Sequence, residues 1–150
     1  MTEVLFYHLE AQPVERLLPV LLEKSLERGW RVVVHTMLEE RIDALDAHLW
    51  TFRDDSFLPH GTFREPAAAD QPVLLTVRDD NPNGATVRFL LDRAPMPGDA
   101  GKYERLVLMF DGNDSDAVAE ARQRWQAAKS LGFAVTYWQA DDSGRWQRRA

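Results

Sequence analysis

Cysteine is absent from this 150-residue chain, which removes disulfides, thiolate metal sites and cysteine nucleophiles together. Long apolar runs are missing as well. No stretch approaches the ~20 residues a membrane-spanning helix needs. The opening Thr2-Glu3-Val4-Leu5-Phe6-Tyr7 has neither the basic region nor the apolar length of a secretory leader, so the expectation is a cytoplasmic chain with no membrane contact. Positive charge is scarce: 18 Lys and Arg against 24 Asp and Glu leave a net charge of −6. A domain built mainly to grip phosphate backbones draws its affinity from Lys and Arg, so DNA contact is expected to be indirect or weak. Glycine is missing where a nucleotide would need it. The turn after the first apolar run, His8-Leu9-Glu10-Ala11-Gln12, places an acid where a phosphate would sit and fits neither a dinucleotide nor a Walker fingerprint. No cofactor is expected.

What is present is enough apolar residue for one core: 45% hydrophobic and 28% charged, the balance of a single globular domain. Val4–Tyr7 reads as a buried strand. Residues 13–28 read as a helix with Leu17, Leu21, Leu22 and Leu26 inward and Gly29 as its stop. Pro19 conflicts with that helix, which either begins near it or is kinked there. Residues 31–35, with Val32-Val33-Val34, read as a strand buried on both faces. Thr36 and Glu39 have capping-box spacing before a helix whose Leu38, Ile42, Leu45 and Leu49 recur at helical period. Residues 63–72 read as a linker. Residues 73–77 and 86–91 are strand-like, and the turn-rich Asp79-Asp80-Asn81-Pro82-Asn83-Gly84 between them predicts an antiparallel hairpin. Residues 92–104 read as loop and 105–110 as a strand. Asp114 or Ser115 caps a helix reaching Leu131 and stopped by Gly132. Residues 133–138 form a last long strand, and the turn at 141–144 leads back toward Trp146. The expected fold is a single-domain, three-layer α/β/α sandwich around a mixed, mostly parallel sheet, Rossmann-like in style.

Chemistry-bearing groupings are few. The histidines are His8, His35, His48 and His60, none at zinc-ligand spacing, and no metal site is expected. Residues 111–116 resemble a calcium loop, but the glycine is misplaced and capping accounts for the acids. Asp54, Asp55 and His60 offer a hydrolytic alternative, a small hydrolase or nucleotide-handling enzyme. On the wheel of the last helix Ala117, Ala121, Ala128 and Leu131 share the inner face. Val118 and Trp125 fall at its rim, with Arg122 and Lys129 just beyond. That rim is either a packed aromatic covered by aliphatic stems or a groove for a ligand that is apolar and anionic. Trp138, Arg145, Trp146 and Arg148 form a further option, direct nucleic-acid contact.

The segment after the second helix is the most distinctive. Leu49-Trp50-Thr51-Phe52-Arg53-Asp54-Asp55-Ser56-Phe57-Leu58-Pro59-His60-Gly61 concentrates aromatics where a loop should lie; such a stretch either folds onto the core or forms a surface for another protein. It follows an LW-x(5)-SF-x-PH pattern. With the opening Val4-Leu5-Phe6-Tyr7, Gly29-x-Arg31-Val32, Ala121-Arg122-x-Arg124-Trp125 through Gly132-Phe133, and Tyr137-Trp138 to Gly144-Arg145-Trp146, it resembles the chi subunit of bacterial DNA polymerase III holoenzyme, essentially end to end. Between residues 63 and 104 the likeness is mainly one of strand pattern.

That resemblance implies an accessory subunit of the clamp-loader complex without catalysis of its own. It implies two partners: the psi subunit, and the acidic C-terminal tail of single-stranded-DNA-binding protein, which ends in Pro-Phe. By resemblance the psi surface uses Trp50 and Phe57, with Phe52, Leu58 and Pro59 in the same stretch. The tail surface uses Arg122 and Trp125, with Val118 and Lys129 beside them. Val118 and Gln126 stand where relatives are commonly basic, and Lys129 is the compensating charge. A repair helicase is a further candidate partner.

Overall fold

The computed structural model describes residues 2–53 and 57–150. Eight strands form one sheet: β1 (Glu3–Leu9), β2 (Val32–His35), β3 (Gly61–Thr62), β4 (Val73–Thr76), β5 (Val87–Leu90), β6 (Arg105–Asp111), β7 (Ala134–Ala140) and β8 (Trp146–Arg148). Three helices accompany them: α1 (Val14–Glu27), α2 (Glu39–Thr51) and α3 (Ser115–Ser130). The sheet order is β3-β4-β2-β5-β6-β1-β7-β8. β1 to β7 run parallel, and β8 returns antiparallel to β7. The mixed, mostly parallel sheet and the α/β sandwich expected from the sequence are both found.

The strand composition explains the layering. β2, β4 and β5 are buried along their whole length, as strands covered on both faces must be. α1 and α2 bury Leu17, Leu18, Leu22, Ile42, Leu45 and Leu49 against one face. α3 buries Ala117, Ala121 and Ala128 against Val4, Phe6, Leu106 and Leu108 on the other. Its small residues let the helix sit close to the sheet. Asp114 is the cap of α3, its carboxylate accepting the amides of Asp116 and Ala117, and Gly132, at φ +84°, ends the turn that follows.

Pro19 lies inside α1, which runs unbroken from Val14, so the helix does not begin at it. A proline at 19 leaves the carbonyl of Glu15 without its helical donor. The structure fills that vacancy from α2: His48 Nε2 lies 2.7 Å from the Glu15 carbonyl oxygen, and since that oxygen can only accept, the ring must donate. His48 therefore repairs the hydrogen-bond ladder of another helix, and the Arg41–Glu15 ion pair adds a second tie between α1 and α2.

Several sequence expectations are corrected. Residues 73–77 and 86–91 do not form a hairpin. β4 and β5 flank β2 on opposite sides, all three parallel. The turn-rich segment is instead a crossover that lies over the sheet, where Ala85 packs on Val33 and Leu74. It is clamped by Arg88, fully buried on β5, whose guanidinium donates to the carbonyls of Arg78 (2.8 Å) and Asp80 (2.9 Å). Asn83 holds it too, donating to the carbonyls of Val32 and Gln71. The turn formers thus close a loop on itself, Asn81 bonding Ala85 in both directions, rather than reversing a strand. The capping box is also absent. Leu38 is the N-cap of α2, with no side-chain cap, because Thr36 still belongs to the sheet: its amide bonds the Thr76 carbonyl and its hydroxyl donates to Asp92. Leu38 and Leu131, both assigned to core faces, are 59% and 68% exposed; each lies just past the end of its helix, where the wheel no longer applies. The linker at 63–72 is preceded by β3 at Gly61–Thr62 and contains a 3-10 turn at Ala68–Asp70.

Two outcomes follow from these clamps. His48→Ala should cost about 1 kcal/mol in the native background and close to nothing once Pro19→Ala restores an amide to the Glu15 carbonyl. Additive costs in urea melts of the four proteins would remove His48 from that role. Arg88→Leu should cost about 3 kcal/mol by removing a fully buried donor from two part-buried carbonyls, with faster amide exchange across residues 78–86 as its local signature.

Candidate partner-binding surfaces

The aromatic segment divides into an anchor and an exposed face. Leu58 is 1% exposed and sits in the core cluster with Leu45 and Leu49. Phe52 is half-buried against that cluster, capped by the Arg53 guanidinium 5.4 Å from its ring centre. His60, buried, is the staple: its Nδ1 donates to the Leu58 carbonyl at 2.7 Å, and its Nε2 faces the Asp46 carboxylate on α2 at 2.9 Å. The Trp50 ring lies 4.2 Å from the His60 ring, and Phe57 lies 5.7 Å from Trp50. Trp50 is 48% and Phe57 73% exposed. Of the five residues assigned to this surface, Leu58 is therefore an anchor and Phe52 half an anchor, while Trp50 and Phe57 point outward with half-buried Pro59 beside them. Two large apolar rings are thus left in water above a buried support.

Of the hydrolytic grouping, only His60 lies among the described residues. Its imidazole is engaged between α2 and the loop with no side-chain exposure, and Asp54 and Asp55 lie outside the described residues.

The second surface is on α3, across the sheet from α2. Trp125 is half-buried at the helix rim, its ring 5.5 Å from Phe6 and 5.9 Å from Tyr137 in edge contacts. Lys129 places its ammonium 5.7 Å from the Trp125 ring centre. Arg122 is exposed one turn earlier. Burial raises the Tyr137 hydroxyl above its ordinary value, and the positive charge of Arg122 works against that rise. Val118 is half-buried on the same side. Of the two readings of this rim, the packing is seen: Trp125 lies against Phe6 of β1 and Tyr137 of β7, with the Lys129 ammonium beside its ring.

A cleft of about 780 Å³ lies at the carboxyl ends of β1 and β6, where α1 and α3 depart to opposite faces of the sheet. Open α/β sheets commonly bind ligands at such a switch point. Here Glu10, Glu15, Asp92, Asp111 and Asp114 outnumber Arg41 and Arg93 in its lining, and Asp114 already occupies the amides at the α3 N-terminus. An anionic ligand is repelled on both counts. Among the described residues no group of three or more ligating side chains could hold a metal, and no helix is long and apolar enough to cross a membrane.

The model of the family described as DNA polymerase III chi subunit, HolC, matches residues 1–136. The chain belongs to the DNA polymerase III chi subunit family. A probable DNA polymerase III subunit chi of Rickettsia prowazekii is 29% identical over 121 residues, which span 74% of this chain and 71% of that protein. The DNA polymerase III subunit chi of Pseudomonas aeruginosa is 40% identical over 78 residues, 50% of this chain and 54% of its own. Family membership gives this chain a place in the DNA polymerase III complex and in DNA replication. The matched span holds both surfaces and stops inside β7.

Sequence reasoning missed the support beneath each surface. His60 entered it as a possible catalyst, and nothing in its neighbourhood in the sequence marks a bond to Asp46, fourteen residues away. It also missed a groove between α1 and β7, because Lys24, Arg28, Trp30 and Arg105 converge there from α1, the turn after it and β6.

Anchor and contact roles separate by mutation. Phe57→Ala should leave stability within about 0.5 kcal/mol, as exposed substitutions do. His60→Ala should cost about 2 kcal/mol by freeing a buried carbonyl and a carboxylate. Denaturant melts check both, and a large loss in Phe57→Ala would return that ring to the core.

Proposed function

We propose that this chi-family chain is a non-catalytic bridge in the clamp-loader complex, holding the psi subunit on one surface and the C-terminal tail of single-stranded-DNA-binding protein on another. The observation that carries this reading is the exposed Trp50–Phe57 pair fixed on His60 at the end of α2, with the Arg122, Trp125 and Lys129 patch on the opposite face of the sheet. The two surfaces do not overlap, so both partners fit at once. Trp50 and Phe57 are the anchors for psi, since large aromatics at interface centres carry most of the binding energy. On α3 the patch suits a peptide that ends in an aromatic residue and a carboxylate. Arg122 can take the carboxylate through two parallel hydrogen bonds, and the ring lies along Trp125 near Lys129. The protein is acidic and so is the tail, so attraction must be local and salt-sensitive. A repair helicase that displays a psi-like face would compete for Trp50 and Phe57.

Each surface should fail separately. Phe57→Ala should weaken psi binding by at least ~2 kcal/mol, about thirty-fold, and leave tail binding unchanged. Arg122→Ala should do the reverse, read by fluorescence anisotropy of a labelled tail peptide. A peptide lacking its final Phe should bind no better to the native protein than the full peptide binds to Arg122→Ala. Psi binding that survives Phe57→Ala, or equal binding of both peptides, would overturn the assignment.

A further inference from the structure

α3 covers only one face of the β1–β7–β8 end of the sheet. On the other face the registers bring Tyr7 beside Trp138, Trp138 beside Arg148, and Trp146 beside Ala140. Three aromatic rings therefore share one surface. The Tyr7 and Trp138 rings are nearly parallel, 15° apart with centres 6.3 Å apart, and Trp146 meets Tyr7 edge-on at 5.3 Å. The Trp138 indole is fixed in orientation by donating to the Thr136 hydroxyl at 3.0 Å. Between this platform and α1 runs a groove of about 330 Å³, whose charged lining is Lys24, Arg28 and Arg105 against Glu3. Glu3 is paired with Arg105 at 3.3 Å. The guanidinium groups of Arg28 and Arg105 each lie 5.0 Å from the Trp30 ring centre, which holds both at the groove's end. On a chain of net charge −6, this is a concentrated basic strip beside stacked rings.

We propose that this groove binds single-stranded DNA directly, its bases stacking on Trp138 and Tyr7 and its phosphates meeting Lys24, Arg28 and Arg105. Aromatic platforms beside a positive strip are how single strands are held without regard to sequence. Lys24 and Arg28 are one helical turn apart, about 6 Å along α1, a spacing comparable to that of successive phosphates on an extended strand. A duplex does not fit, because its base faces are stacked away from any side chain. The footprint is short. Beyond it the turns after β1 and β7 set Glu10, Asp141 and Asp142 around Arg16 of α1, so the strand leaves across the sheet toward Arg148. β8 and most of this platform lie beyond the span that matches the family model. The surface is separate from both partner surfaces proposed above and does not rest on them.

The test is anisotropy of a labelled oligothymidylate of about 15 nucleotides, inside the usual site-size range, with the intact chain. Saturable binding is expected at about 50 mM salt, and neutralising three phosphates gives a log–log salt slope of about −2. The double variant Lys24→Glu/Arg28→Glu, exposed and confirmed folded by circular dichroism, should bind at least about tenfold more weakly. An abasic oligomer of equal length should bind at least about fivefold more weakly to the native protein, from the loss of stacking. Trp138→Leu should reproduce the abasic loss. Absence of saturable binding at low salt, undiminished binding by the double variant, or equal binding of the abasic strand would each overturn the proposal.

Discussion

The fold depends on β1 being apolar on both faces. Val4 and Phe6 enter the core beneath α3, while Leu5 and Leu9 face α1. That double burial requires a neighbour on each side and a helix layer above and below. β6 and β7 supply the first, and α1 and α3 the second. Because the chain leaves β1 toward one face and β6 toward the other, a cleft must open between them. In many proteins that cleft is the active site. Here an acidic lining and a self-capped helix take it out of anion binding, and the surfaces proposed for partners lie elsewhere.

Those surfaces are built by the same device, a ring that is half structural. Trp50 rests on His60 and carries Phe57 outward; Trp125 rests on Phe6 and Tyr137 and carries Lys129. A ring held on one side by the core loses little entropy when the other side is covered, so binding need not order it again. Helix and sheet register set where each ring stands, and α2 and α3 set the surfaces on opposite faces.

Much of the architecture was legible in the sequence because it is written in local periodicity. The buried strand around Val32–Val34, the leucine spacing of α1, and the stop at Gly132 are each decided within a few residues. The hairpin between residues 73 and 91 was misread for the opposite reason. Turn formers report that a chain bends, not where the next strand pairs, and the pairing of β5 beside β2 depends on Arg88 and Asn83 bonding carbonyls of the crossover and its neighbours. Thr36 and Glu39 had the right spacing for a cap, but a carboxylate on Asp92, 56 residues away, took the hydroxyl.

The sequence by itself determined the three helices and most of the strands, the acidic character of the chain and the family resemblance, because each is carried by composition or by residues close together along the chain. Tertiary structure alone decided that Leu58 is an anchor while Phe57 is exposed, that His48 repairs the break Pro19 leaves in α1, and that cations from α1 and β6 meet the rings of β1 and β7. Those outcomes depend on which distant groups are brought within a few ångströms, and hydrogen bonds, stacking and charge act only at that range.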